Sequence, residues 1–159
     1  MEHSLKTGLS FGLTSGVITT LGLMVGLNAS TESKAVVMGG ILTIAIADAF
    51  SDALGIHISE ESENKHTELE IWKATISTFF CKAVFAASFI IPVLLLDLPT
   101  AILVSVVYGM ILLATFSYYI GRDEEGATWR IISEHISIAL VVIVLTHYTG
   151  LWIKSVFPC

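Results

Sequence analysis

Five long apolar segments restrict the folds open to this chain more than any other feature. They run over about residues 7–27, 35–58, 72–96, 99–121 and 130–153, and about 20 helical residues are enough to cross the hydrocarbon core of a bilayer. A membrane β-barrel would instead need strands of about ten residues with alternating polarity. The sequence therefore predicts an all-α, polytopic membrane protein in which residues 1–159 form a single domain of five transmembrane helices.

Composition narrows the possible functions. Hydrophobic residues make up 54% of the chain and charged residues only 14%, whereas soluble domains contain about 25% charged residues. The formal net charge is −6 and no basic stripe is present, so we expect membrane lipid rather than nucleic acid as a partner. The sequence contains no Walker loop, HExxH helix or Rossmann glycine pattern. We therefore predict that the protein is not an enzyme and has no permanently bound cofactor.

The basic residues predict the orientation, because cytoplasmic loops carry an excess of Lys and Arg. With five spans, the N-terminus lies on the same side as the loops between spans two and three and between spans four and five. That side carries Lys6, Lys65, Lys73, Arg122 and Arg130, and the other side carries Lys34 and Lys154. The bias predicts a cytoplasmic N-terminus and an external C-terminus. We expect an integral, multi-pass protein of the cell membrane.

Three charged residues, Asp48, Asp52 and Lys82, lie well inside the predicted spans, where a central Asp or Lys costs about 2.5–3.5 kcal/mol. Asp48 and Asp52 are four residues apart, so both carboxylates lie on one face of the second helix. At a rise of about 1.5 Å per residue, Asp52 lies at the depth of Ser15, and Asp48 at the depths of Lys82 and Thr19. Carboxylate and hydroxyl oxygens are hard ligands. The sequence therefore predicts a metal site in which Asp48, Asp52 and Ser15 are ligands and Lys82 is an internal counter-charge.

Two alternatives remain open for this polar group. A buried Asp–Lys pair could serve only to fix helix packing, although one lysine cannot neutralise two acids. One of the acids could instead carry a proton, and the roles of proton carrier and metal ligand could alternate. His57, five residues beyond Asp52 on the second span, is predicted to add a nitrogen ligand at the mouth of the site.

The segment SEESENKHTELE between the second and third spans is acidic. We predict that its side chains concentrate cations at the cytoplasmic mouth through their electric field and can bind metal directly. For any single glutamate, a solvated loop position is the alternative. We call the predicted metal-attracting residues the acidic collar: Glu60, Glu61, Glu63, His66 and Glu68. Asp123, Glu124 and Glu125 of the next cytoplasmic loop add to the same charge.

Glycine recurs every four residues on the first span, at Gly8, Gly12 and Gly16. The spacing places these glycines on one stripe, where the backbone of a neighbouring helix can approach closely. We predict either a seam between two copies of the chain or a tightly packed pore wall, and ordinary packing within one copy is the alternative. Since a lone copy would expose Asp48 and Asp52 to lipid, we expect a homodimer with the first two helices at its centre.

Several segments resemble the vacuolar iron transporter family. Gly12–Gly26 (GLTSGVITTLGLMVG) resembles the family's first span, which typically reads G-x-N-D-G-L-V-x-T-x-x-L-V-x-G. Ile46–Ser59 (IADAFSDALGIHIS) resembles its second span, typically A-x-A-x-S-M-x-x-G-E-Y-x-S. Pro92 and the segment HYTG, residues 147–150, match weaker features of the third and fifth spans. The resemblance implies a five-helix protomer, a homodimer with a pathway between the copies, and export of Fe(II) or Mn(II) by proton antiport.

The sequence departs from the family pattern at the predicted site. Ser15 stands where the family's first span has Asp, and Asp52 stands where its second span has Met. The family's large cytoplasmic Glu-rich domain is replaced by about a dozen residues.

The predicted function is a divalent metal-ion transporter that exports Fe(II) or Mn(II) from the cytoplasm, with proton coupling open. The alternative is a non-transporting membrane scaffold or assembly protein, in which the Asp–Lys network is structural.

Overall fold

A computed structural model of the chain describes residues 3–122 and 128–157, and these residues form helices without any strand. Five helices are long and apolar enough to cross a membrane, which confirms the predicted all-α class and indicates an integral, multi-pass membrane protein. They are α1 (His3–Thr31), α2 (Lys34–Ser62), α3 (Glu68–Leu95), α4 (Leu98–Gly121) and α5 (Thr128–Val156). The helices extend a few residues beyond the predicted spans, because a helix can continue past the hydrocarbon core into the interface.

Polar residues cap the helices at the short connections. Ser33 precedes α2, and its side chain accepts a hydrogen bond from the backbone N–H of Val36. Thr67 and Glu70 form a reciprocal capping box at the start of α3. Asp97 accepts a hydrogen bond from the N–H of Thr100 at the start of α4. These caps satisfy N–H groups that the first turn of a helix leaves without partners, and they fix where each span begins.

Two of the spans are irregular. Within α2, a π-helical turn at Ile44–Asp48 separates the α-helical segments Lys34–Thr43 and Ala49–Ser62. Helix α3 is interrupted at Phe89: one α-helical segment ends at Ser88 and the next begins at Ile90. The interruption arises because Pro92 has no N–H to donate to the carbonyl group one turn before it. The first irregularity lies at the predicted site, since its last residue is Asp48.

Helix α1 lies at the centre of the bundle. In its most apolar stretch, 56% of the residues of α1 are buried, whereas the corresponding share for α5 is 11%. Helix α1 packs against α3, α4 and α5. Val17, Leu21 and Met24 of α1 are fully buried in the core, together with Phe89 of α3 and Leu113 of α4. The other helices surround α1 and direct large apolar side chains outward, as expected for surfaces in contact with lipid.

The glycine stripe on α1 packs against α3 of the same chain. A Cβ atom added at Gly12 would lie 2.7 Å from the carbonyl oxygen of Thr78 and 3.0 Å from Cβ of Cys81. One added at Gly8 would overlap the carbonyl oxygen of Ala74. The expectation that this stripe joins two copies is therefore wrong, and its alternative, packing within one copy, is correct. The physical reason is that α1 is the buried central helix, so α3 already covers the stripe.

Candidate metal site

The side chain of Lys82 is completely buried between α1 and α3. Its stem lies beside Gly16, where an added Cβ would be 3.3 Å from Cγ of Lys82 and 3.2 Å from its carbonyl oxygen. Glycine at this position therefore leaves the space through which the lysine crosses from α3 towards α2. In the sequence, Gly16 was recognised only as part of the glycine stripe. Its role in leaving space for the side chain of Lys82 was not predicted.

The ammonium group of Lys82 lies where three side-chain oxygens converge. Nζ is 2.5 Å from Oδ2 of Asp48, is in contact with Oδ2 of Asp52, and donates a hydrogen bond of 2.9 Å to Oγ of Ser15. Oγ of Ser15 in turn donates a hydrogen bond of 2.6 Å to Oδ2 of Asp52. The depths counted from the sequence are confirmed in this respect: Asp52 faces Ser15, and Asp48 faces Lys82.

The π-helical turn helps to bring both carboxylates to the same point. The N–H of Ala49 donates to the carbonyl oxygen of Ile44, five residues earlier, so this turn is wider than an α-helical turn and changes the direction in which Asp48 points. Such turns occur frequently at functional sites. Oδ2 of Asp48 makes no hydrogen bond with any described residue and meets Lys82 only as an ion pair.

The acids are more accessible than the lysine. The side chain of Asp48 is 35% exposed and that of Asp52 is 21% exposed, whereas Lys82 is 0% exposed. Asp48 lines an open groove of about 470 Å³ between α1 and α2, together with Thr19, Thr43 and Ser51. Thr19 therefore lies near Asp48 as predicted, although its hydroxyl donates to the carbonyl oxygen of Ser15. A cation can approach Asp48 from this groove.

His57 lies apart from the two acids in this structure. Its Nδ1 is 2.9 Å from Oγ1 of Thr75, and its ring packs edge-on against Trp72, both on α3. These residues line a mostly apolar pocket of about 330 Å³ between α2 and α3. Within one copy, the structure does not bring His57 together with Asp48 and Asp52.

The acidic collar occupies the end of α2, the loop that follows and the start of α3. Glu60 is buried, and its Oε2 is 3.5 Å from Nε2 of His66. Glu63 is exposed and lies 3.9 Å from the same nitrogen. Glu61 and Glu68 are exposed. His66 therefore joins two collar glutamates, and the other two face solvent.

Three further acidic residues were predicted to add to the charge of the collar. Asp123, Glu124 and Glu125 lie outside the described residues. Glu70, beside the collar, accepts hydrogen bonds from the backbone N–H and the hydroxyl of Thr67.

Within one copy, the side chains of the described residues do not form a complete metal shell. Among residues 3–122 and 128–157, no group of three or more His, Cys, Asp or Glu side chains is arranged to hold a metal ion. The oxygens of Asp48, Asp52 and Ser15 nevertheless converge on one point, which Lys82 occupies.

The family model described as the VIT family matches residues 9–72. Over these residues the chain is similar to the vacuolar iron transporter family. A search of curated proteins found no match. The matched segment contains Ser15, Asp48 and Asp52, and it ends ten residues before Lys82. The three converging oxygens therefore belong to the part of the chain that resembles the VIT family, and the ammonium group comes from outside it.

Proposed function

We propose that this protein exports Fe(II) or Mn(II) from the cytoplasm in exchange for protons, as a homodimer in the cell membrane. VIT family membership implies membrane metal-ion transport in general, and this family is one of transporters rather than enzymes. The observation that carries the proposal is the convergence of oxygens from Asp48, Asp52 and Ser15 within the membrane-spanning part of the bundle.

The chemistry of these oxygens suits a hard or borderline divalent cation. Carboxylate and hydroxyl groups bind Mg²⁺, Mn²⁺ and Fe²⁺ in preference to soft metals. Asp48 and Asp52 are the central ligands, Ser15 completes the protein's share of the shell, and Lys82 is the counter-charge that the metal displaces. The acidic collar attracts cations to the mouth of the pathway, and His57 lies between the collar and Asp52 along α2.

A second copy would cover the open side of the site. In a single copy, the groove beside Asp48 faces the surroundings with Thr43 and Ser51 exposed. An acid near the bilayer centre costs about 2.5–3.5 kcal/mol, and the single charge of Lys82 is shared between Asp48 and Asp52. Gly55, one turn from Ser51, has no atom within 4 Å of an added Cβ, so a neighbouring helix can lie flat against this part of α2. Pairing of α2 with a second copy would turn the groove into an enclosed pathway.

The test is metal flux in proteoliposomes made with the purified protein. We expect wild-type protein to move Mn(II) and Fe(II), and we expect Asp48→Asn and Asp52→Asn to abolish or strongly reduce this flux while each variant remains folded. Glu32→Gln is the matched control, because Glu32 also pairs with a lysine, Lys154, at 2.5 Å, but is exposed. Flux measured with Mn(II) and Fe(II) in competition then shows which metal is preferred. Flux measured with and without a pH gradient across the membrane tests whether the metal is exchanged for protons.

The same ion cluster also supports a second candidate function. A lysine that joins α2 to α3 through two aspartates is a structural cross-link, and a membrane scaffold or assembly protein would use it only for that purpose. This alternative predicts no metal flux by folded wild-type protein. Wild-type flux in both aspartate variants would also refute the site proposed here.

A further inference from the structure

The ammonium group of Lys82 occupies the position that a transported cation would need. Its Nζ lies within 2.9 Å of oxygens from Asp48, Asp52 and Ser15, and a metal ion bound to these oxygens would lie at about 2.0–2.6 Å from them. Two positive charges cannot share this point, so one must leave when the other arrives. We propose that Lys82 is a tethered competitor of the transported metal and thereby determines the charge selectivity of the site. This inference rests on the proposed transport function.

The selectivity follows from the charge of the competing ions. With both acids ionised and the lysine charged, the cluster carries a net charge of −1. A monovalent cation that replaces the ammonium gains the same Coulomb attraction that the ammonium gives up. The ammonium is held near the acids by its side chain, so a monovalent cation has no electrostatic advantage over it. A divalent cation gains about twice this attraction from the same two carboxylates. A cation must therefore be attracted to the two carboxylates more strongly than the ammonium of Lys82 is in order to displace it. Sodium and potassium do not meet this condition, and a divalent metal does.

The geometry lets the metal and the ammonium reach the acids from different sides. The stem of Lys82 is buried against α1 beside Gly16. Asp48 opens instead to the groove lined by Thr43 and Ser51. A metal arriving through the groove meets Asp48 first, and the ammonium must then move away from the two carboxylates.

A purely structural lysine would behave differently. It would stabilise the bundle, and its removal would weaken folding without changing the preference between monovalent and divalent cations. The distinguishing measurement is therefore cation competition rather than stability alone.

The experiment compares Lys82→Met with wild-type protein in purified form. Mn(II) binding is measured by isothermal titration and by metal-dependent thermal stabilisation, with and without 150 mM sodium, a concentration of roughly physiological ionic strength. We expect Lys82→Met to bind Mn(II) at least about tenfold more tightly than wild type, and we expect sodium to weaken this binding in the variant only. Lys154→Met, which removes a lysine from the exposed pair with Glu32, should behave as wild type.

A second variant covers the case in which Lys82→Met does not fold. Asp52→Asn combined with Lys82→Met removes one charge of each sign, so the cluster keeps the net charge of wild type without the ammonium. We expect sodium to compete with Mn(II) in this double variant. The inference would be overturned if both variants fold and sodium does not weaken their Mn(II) binding. In that outcome Lys82→Met would also bind Mn(II) with the affinity of wild type.

The two proposals fail in different ways. Absence of metal flux by wild-type protein in proteoliposomes would refute the transport function, whatever the binding data show. Wild-type metal flux together with unchanged selectivity in Lys82→Met would refute only the role of Lys82.

Discussion

Replacing Gly12 by alanine tests the seam between α1 and α3 directly. The new Cβ would lie 2.7 Å from the carbonyl oxygen of Thr78 and 3.0 Å from Cβ of Cys81. The first neighbour is backbone, so it cannot move without shifting α3. Overpacking of this kind typically costs about 1–3 kcal/mol, and we expect Gly12→Ala to lose stability in this range. A shift of α3 would also lengthen the 2.9 Å hydrogen bond between Lys82 and Ser15.

Gly39→Ala provides the matched control for this change. Gly39 lies in α2 and has no atom within 4 Å of an added Cβ, so alanine should be neutral there or stabilise the helix by about 0.5–1 kcal/mol. Unfolding free energies of both variants are measured in mixed micelles, and the oligomeric state is measured by mass in native lipid. Equal stability of the two variants would refute the packing argument. A Gly12→Ala protein that keeps its stability but loses its partner copy would show that the stripe joins two protomers after all.

Two further predictions concern the mouth of the site and the proposed dimer face. Replacing exposed Glu61 and Glu63 by Gln should weaken the apparent affinity for metal at low salt but not at 1 M salt, where the screening length is about 3 Å; the effect of Glu60→Gln should persist in salt because Glu60 is buried. A loss in Glu61→Gln that is equal at both salt concentrations would indicate direct metal binding instead of attraction. Gly55→Leu should reduce dimer formation and flux while leaving the protomer folded, because a Cβ added at Gly55 has no atom of another described element within 4 Å in its own copy; a variant that is dimeric with normal flux would exclude this face.

The sequence was sufficient for the spans and for much of the ion cluster. Helix length and hydropathy identify membrane spans because the bilayer fixes both, and the α-helical rise is constant enough for residue counting to match Asp52 with Ser15 and Asp48 with Lys82. The π-helical turn at Ile44–Asp48 was not predicted. No local sequence pattern indicates a turn of this kind.

Other features were ambiguous in the sequence for identifiable reasons. Glycine spacing shows where a neighbouring backbone can approach, but it does not say which helix approaches, so Gly12 was compatible with α3 or with a second copy. His57 follows Asp52 by five residues, which is about 140° around an α-helix with 3.6 residues per turn. That angle alone favours different faces, and the structure places His57 beside Thr75 and Trp72 on α3.

The contact between Ser15 and Asp52 explains how the site departs from the family pattern. The family's first span typically has Asp where this chain has Ser15, and its second span lacks an acid where this chain has Asp52. The two side chains are 2.6 Å apart, so a carboxylate carried by either helix reaches nearly the same point. Exchanging the two residues, as Ser15→Asp with Asp52→Ser, should therefore retain much of the metal flux that Asp52→Ser alone abolishes. Flux as low in the exchanged protein as in the single variant would mean that the helix that carries the acid matters, and the two positions would not be equivalent.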